Sequence, residues 1–128
     1  VPERIGGEVK MKEFQELHSI AVEDRKYSEW AQQRTLQERA DMLKEEVDEM
    51  MEAVKNNDMA NLQEELGDII WDALNIAALA EEKGLFTTQE TLNNTIHKIK
   101  TRKPWIFTRE KLTAEEESLR WKKAKEKK

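Results

Sequence analysis

Two carboxylate pairs, Glu46/Glu49 and Glu65/Asp68, flank a polar turn at Asn56-Asn57-Asp58. Each pair is spaced i,i+3, which on a helix puts both members on one face about one turn apart. Glu46 and Asp68 each lie eleven positions from Asn57, and Glu49 and Glu65 each lie eight. An antiparallel helix hairpin folded at that turn would bring the four groups together at matching heights. Four facing acids repel one another unless a positive charge lies between them, and a divalent cation is the simplest such charge. A solvated acidic face is the competing explanation for one Glu-x-x-Glu pair, and the matched second pair weakens it. The donors are all oxygen: there is no Cys, and neither His18 nor His97 stands at Glu-x-x-His spacing. Such a set favours Mg²⁺, with Mn²⁺ as a substitute, over zinc or a di-iron centre.

Mg²⁺ held by carboxylates usually shares its coordination with phosphate oxygens, so cationic side chains are expected elsewhere in the chain. The segment Lys98-Ile99-Lys100-Thr101-Arg102-Lys103 supplies them. Lys98 and Arg102 are i,i+4 and combine a point charge with a forked donor, both suited to phosphate. A basic helix C-terminus that complements the helix dipole accounts for the same spacing equally well. The Lys122–Lys128 run reads as a solvated tail.

Positioning these groups requires long helices. Charged residues make up 38% of the 128 residues and hydrophobic ones also 38%, with only four Gly and two Pro. That composition suits amphipathic helices that each bury a narrow stripe, and an oligomer that buries more. A net charge of −5 argues against a general nucleic-acid or membrane binder. No apolar run approaches a membrane span, no signal peptide is visible, and the absence of Cys is compatible with a cytoplasmic setting.

Residues 1–10 read as a flexible arm and 11–128 as one helical domain. A first helix is expected over about Val9–Asp24, followed by a polar connection with Tyr27 and Trp30. Thr35 then caps a helix whose apolar seam is Leu36, Ala40, Leu43, Val47, Met50 and Val54. Asp58 caps the next, with Leu62, Leu66, Ile69, Ala73, Ile76 and Ala80 as its seam and Gly84 as its stop. Thr87/Glu90 opens a fourth helix to about Lys100, and Thr113/Glu116 opens a last one after Pro104. The expected fold is an all-α helical bundle built on the hairpin and completed by oligomerisation.

These residues resemble the signature of MazG-type nucleoside triphosphate pyrophosphohydrolases. Glu45-Glu46-Val47-Asp48-Glu49, with Glu65-Leu66-Gly67-Asp68 after it, is similar to that family's EExxE…ExxD pattern. Trp30 stands fifteen residues before Glu45, like the tryptophan of the family's Cys-Pro-Trp segment. Lys83-Gly84-Leu85-Phe86-Thr87 resembles its turn after the second acidic helix. Lys98, Arg102, Pro104 and Phe107 match its Lys-x-x-x-Arg-x-Pro-x-x-Phe spacing, and Trp121 with Lys125 its Trp-x-x-x-Lys.

The resemblance implies an all-α enzyme, a dimer or tetramer, that converts an NTP or dNTP into the monophosphate and pyrophosphate. It assigns Mg²⁺ to Glu46, Glu49, Glu65 and Asp68, and the triphosphate to Lys98 and Arg102. Glu45, or one of Glu46 and Glu49, would accept the proton of the attacking water, and Trp121 would stack on the base. Trp30 is a further substrate candidate, and both tryptophans equally suit core or interface packing. Ser28-Glu29 replaces the family's Cys-Pro, and Lys103-Pro104-Trp105 replaces its His-Pro-His. Nucleobase preference is therefore the property least transferable to this chain. Enzymes specific for dUTP, dCTP or phosphoribosyl-ATP remain an alternative, as does a non-catalytic helical interaction module.

Overall fold

The computed structural model describes residues 11–127, so the arm expected over 1–10 lies outside the described residues. Among these residues every regular element is helical: α1 (Lys12–Tyr27), α2 (Glu29–Gln32), α3 (Leu36–Lys55), α4 (Met59–Glu82), α5 (Thr88–Arg102), α6 (Trp105–Thr108) and α7 (Ala114–Lys127). No helix among them is long and apolar enough to cross a membrane. The described chain forms two compact units, the first being Met11–Thr88 and the second beginning at Gln89.

In the first unit α3 packs along α4, α1 packs on α4, and α2 lies against α1. The α3 start is a capping box: Thr35 Oγ1 accepts from the Glu38 amide at 3.0 Å, and the Thr35 amide donates to Glu38 Oε1 at 2.9 Å. Asp58 caps α4 by accepting from the Asn61 amide at 3.1 Å. Between them Asn57 adopts a left-handed φ of 53°, a conformation Asn tolerates better than most residues. The Asp58 amide donates back to Ala53 O at 2.9 Å, closing the end of α3. Gly84, at φ 71°, ends α4 in the same manner, and Leu85 N donates to Ala80 O at 3.0 Å.

Two sequence expectations change. The connection after α1 contains the short helix α2, started by Ser28, whose hydroxyl accepts from the Ala31 amide at 3.1 Å. The first helix runs on to Tyr27, past the Asp24 expected to end it. Arg25, 6% exposed, fixes this corner. Its guanidinium forks onto Glu82 at 2.8 and 3.0 Å and also donates to Ala31 O.

The larger correction concerns the core. Of the twelve seam residues expected to be buried, Ala80 alone is; Val54 is 57% and Leu66 48% exposed. The fully buried positions of α3 and α4 are instead Arg39, Ala53, Glu65, Asp72, Leu74, Asn75, Ala78, Leu79 and Ala80. Both helices turn a partly polar flank inward, and the apolar stripe beside it stays half open. The packing of α1 and α3 on α4 covers one face of each helix and leaves the adjacent stripe half open.

In the second unit, α6 is a single turn after Pro104, ended by Arg109 in the left-handed region. Its Trp105 is 8% exposed, and the indole donates to Glu117 Oε1 at 3.2 Å. Thr113 and Glu116 form the expected capping box at the start of α7, at 3.0 and 3.1 Å.

Candidate active site

The three-residue connection between α3 and α4 sets the register of the acidic groups. Glu46, Glu49 and Glu65 each bring an oxygen within 4.8 Å of the others. Asp68, half-buried on α4, is not part of that trio, although its charge acts on both Glu46 and Asp72. Glu45 is exposed and also stands outside the trio.

The trio is electrostatically loaded. Hydrogen bonds to Glu46 and then Glu49, together with burial and the charge of both neighbours, push the Glu65 pKa up to about 8. For Glu46 the hydrogen bond from Glu65 pulls the pKa down, but burial, Glu49 and Asp68 outweigh it, and the net direction is upward. The buried Oε2 atoms of Glu46 and Glu65 have no hydrogen-bond partner. Orphaned oxygens on two facing acids, one of which keeps its proton at neutral pH, fit a hard divalent cation, which would take the proton's place.

Beyond the trio the α3–α4 interior stays polar. Arg39 is 1% exposed, and its Nε and Nη2 are both without a partner. Burial lowers its pKa, while the carboxylates of Asp24 and Asp72 oppose the shift. Burial raises Asp72, with Arg39 offsetting part of the effect and Asp68 adding to it. The Trp30 ring, half exposed, lies under two guanidinium groups, Arg34 at 4.9 Å and Arg39 at 5.1 Å. A base stacked on Trp30 would share that ring with them.

In the second unit Lys98 and Arg102 line one cavity of about 670 Å³, as the i,i+4 spacing implied. His97, Arg120 and Lys123 line it too, and no acidic side chain does. Trp121 borders a different, smaller cavity and is ringed by cations, with Lys103 at 5.5 Å and Arg102 and Lys125 at 6.0 Å.

Sequence reasoning missed Arg39, Asn75, Arg120 and Lys123. The first two carried a signal: Arg39 is seven residues before Glu46, Asn75 is seven after Asp68, and both are eighteen from Asn57. Arg120 and Lys123 merge with a run of lysines that reads as a tail, and only the packing of α7 separates them from it.

Two packed helices whose carboxylates converge on one point, in a chain whose described elements are all helical, define a helical carboxylate-site protein. Residues 34–107 match the MazG nucleotide pyrophosphohydrolase domain, and the chain belongs to that family. Over 98 residues it is 35% identical to the nucleoside triphosphate pyrophosphohydrolase/pyrophosphatase MazG of Thermotoga maritima, covering 73% of this chain and 38% of that protein. It is 29% identical to a nucleoside triphosphate pyrophosphohydrolase of Mycobacterium tuberculosis over 75% of this chain and 30% of that one. The chain thus spans less than half the length of these curated relatives. The crystal structure of a mazG-related protein from Thermotoga maritima matches with a TM-score of 0.82 at 36% identity, covering 88% of this chain and 98% of that one.

Proposed function

We propose that this chain is a Mg²⁺-dependent nucleotide pyrophosphohydrolase that converts an NTP or dNTP and water into the nucleoside monophosphate and pyrophosphate. The observation that carries the reading is the carboxyl trio, with three oxygens within 4.8 Å and two of its buried oxygens unpartnered. The names of the Thermotoga and Mycobacterium relatives support the substrate class.

Glu46, Glu49 and Glu65 would hold the cation, with Asp68 one turn along α4 from Glu65 as the fourth ligand. When bound, the cation neutralises phosphate charge and lowers the pKa of a water. The remaining work falls to the chain. Lys98 and Arg102 take up the triphosphate oxygens, a role that suits a cavity lined by several cations and no acidic side chain. One carboxylate of the α3 cluster, Glu45 or a neighbour, accepts the proton as the water oxygen bonds to the α-phosphorus. The bond from that phosphorus to its bridging oxygen breaks, and pyrophosphate leaves as one unit.

The apolar stripe left open on the first unit is the ground for expecting a homo-oligomer, a dimer or tetramer. Met51 (61% exposed), Val54, Leu66 and Ile70 (39%) form the part of it that a second copy would cover.

The test is a panel of common NTPs, dNTPs and phosphoribosyl-ATP with Mg²⁺ and ¹⁸O-water, both products identified. Label in the monophosphate and intact pyrophosphate support the proposal. Turnover of dUTP, dCTP or phosphoribosyl-ATP alone would narrow it to a specialised relative. Stepwise release of inorganic phosphate, or no turnover of any nucleotide, would overturn it.

A further inference from the structure

Positive charge is concentrated in the second unit. Residues 89–128 hold twelve of the chain's 22 Lys and Arg but six of its 27 Asp and Glu, a net of +6 within a chain of −5. Several of those acids are already engaged. Glu116 accepts from the Thr113 amide at the start of α7, Glu117 takes the Trp105 indole and the Lys103 ammonium, each at 3.2 Å, and Glu110 pairs with Arg120. No acid lines the cavity of about 670 Å³ to which α5 and α7 both contribute.

Each of these two helices presents a pair of cations to that cavity. Lys98 and Arg102 stand on α5, about 6 Å apart along the axis, and Arg120 and Lys123 stand on α7, about 4.5 Å apart. The buried Trp105 lines the cavity too, and its bond to Glu117 ties α6 to α7 one turn before Arg120. Lys98 and Lys123 are exposed and have no ion-pair partner among the described residues. Glu110 meets both Nη atoms of Arg120, at 3.2 and 2.9 Å, which fixes the guanidinium and leaves part of its fork for a second acceptor. Arg102 lies 6.0 Å from the Trp121 ring, a contact that engages its charge and not its N–H groups. Four like charges around one cavity repel, and Glu110 offsets only one of them.

We propose that Arg120 and Lys123 form a second phosphate-binding wall, so that the cavity grips a chain of linked phosphates from two sides and does so without a metal. A single small anion is satisfied by one pair of cations. Two pairs on separate helices suit an anion that carries its charges in series, and each wall offers one forked donor and one compact charge. The use of this cradle for the triphosphate of a substrate rests on the pyrophosphohydrolase reading above; the binding itself does not.

Titration calorimetry of the full chain with inorganic tripolyphosphate in EDTA tests the cradle without turnover. Tripolyphosphate should bind, and orthophosphate, which reaches only one wall, should bind at least about tenfold more weakly. Lys123→Gln and Arg120→Gln should each weaken tripolyphosphate binding by roughly tenfold or more, the worth of a hydrogen bond to a charged group. Lys122→Gln removes the same charge from a residue that does not line the cavity, and should change binding by less than about twofold. Equal losses at positions 122 and 123 would reduce the cavity to a diffuse basic surface and overturn the proposal, as would a single-stranded oligonucleotide that binds as tightly as tripolyphosphate. So would a wild-type chain that binds no tripolyphosphate, a result that needs no variant to fold. Glu65→Gln should lose turnover and keep tripolyphosphate; loss of both would contradict metal-free binding. A chain that binds tripolyphosphate but hydrolyses no nucleotide sinks the pyrophosphohydrolase reading and leaves the cradle standing. Hydrolysis without metal-free binding does the reverse.

Discussion

Glu65 of α4 and Glu46 of α3 bring carboxyl oxygens within 4.8 Å of each other across the helix pair, and Glu46, with Glu49 beside it, pushes the Glu65 pKa up to about 8. An acid group whose folded pKa lies above its unfolded value binds more protons in the native state, so stability falls as pH rises between the two values. The metal-free protein should therefore lose melting temperature from about pH 5 to pH 8 and then level off. Glu38, Glu81 and Glu82, whose pKa values are lowered, act in the opposite sense at more acidic pH. Calorimetry across this range checks the slope, and Glu65→Gln should flatten it. An unchanged slope in that variant would place the titration elsewhere.

Metal loading should release a proton. At pH 7 Glu65 is largely protonated, and a cation among Glu46, Glu49 and Glu65 displaces that proton. Titration calorimetry with Mg²⁺ in buffers of different ionisation enthalpy reads the number released, expected near one at pH 7 and near zero above pH 9. Equal heats in all buffers at pH 7 would contradict the raised Glu65 pKa.

Neutral amides at Glu46, Glu49 or Glu65 should lower Mg²⁺-dependent turnover by more than about 100-fold while leaving helical content intact. Asp68→Asn is the informative fourth member, since Asp68 stands outside the trio. A loss equal to the others makes it a ligand, and a loss near tenfold makes it a second-layer group that orients one. Full activity in two of the trio variants would remove the site.

This division also marks how far the sequence carried. The helices and their caps followed from spacing, with Thr35, Asp58, Gly84 and Thr113 each marking an end found close to where it was expected. Three of the four carboxylates expected to converge lie together, while Asp68 stands apart. Side-chain periodicity shows that a helix has an apolar stripe, but not which of two adjacent faces its neighbour covers. Glu65, Asp72 and Asn75 took the inside, while Val54 and Leu66 stayed outside. The difference lies in how α1 and α3 share the surface of α4, a property of three elements together.

The clamp and the base contact should fail differently. Lys98→Ala or Arg102→Ala should reduce kcat/KM for every nucleotide by roughly 10- to 150-fold, the worth of one charge-assisted hydrogen bond, and Arg102→Lys should recover part of it. Trp121 already carries Lys103, Arg102 and Lys125 around its ring. If it also stacks on the base, Trp121→Ala raises KM unevenly across bases. An unchanged panel assigns it to packing.

Arg25 ties α1, α2 and α4 together, and its loss should be global. Arg25→Ala should cost about 2 kcal/mol by urea denaturation, the scale of a charged hydrogen bond. Glu82→Ala should cost at least as much, because it strands a buried guanidinium. If the two variants together cost no less than the sum of the singles, Arg25 and Glu82 are not coupled.

The left-handed turn at Asn57 sets a rule for length variation in this chain. Because the acidic residues are placed by counting outward from that turn, one residue inserted in either arm swings its pair by about 100° and slides it about 1.5 Å. Two extra turns, seven residues on each arm, lengthen the hairpin yet return both pairs to nearly their former faces. Natural or engineered variants that keep the site should therefore differ here by matched heptads or not at all, and unmatched insertions should collect beyond Arg39 and Asn75, where they leave the counted register untouched.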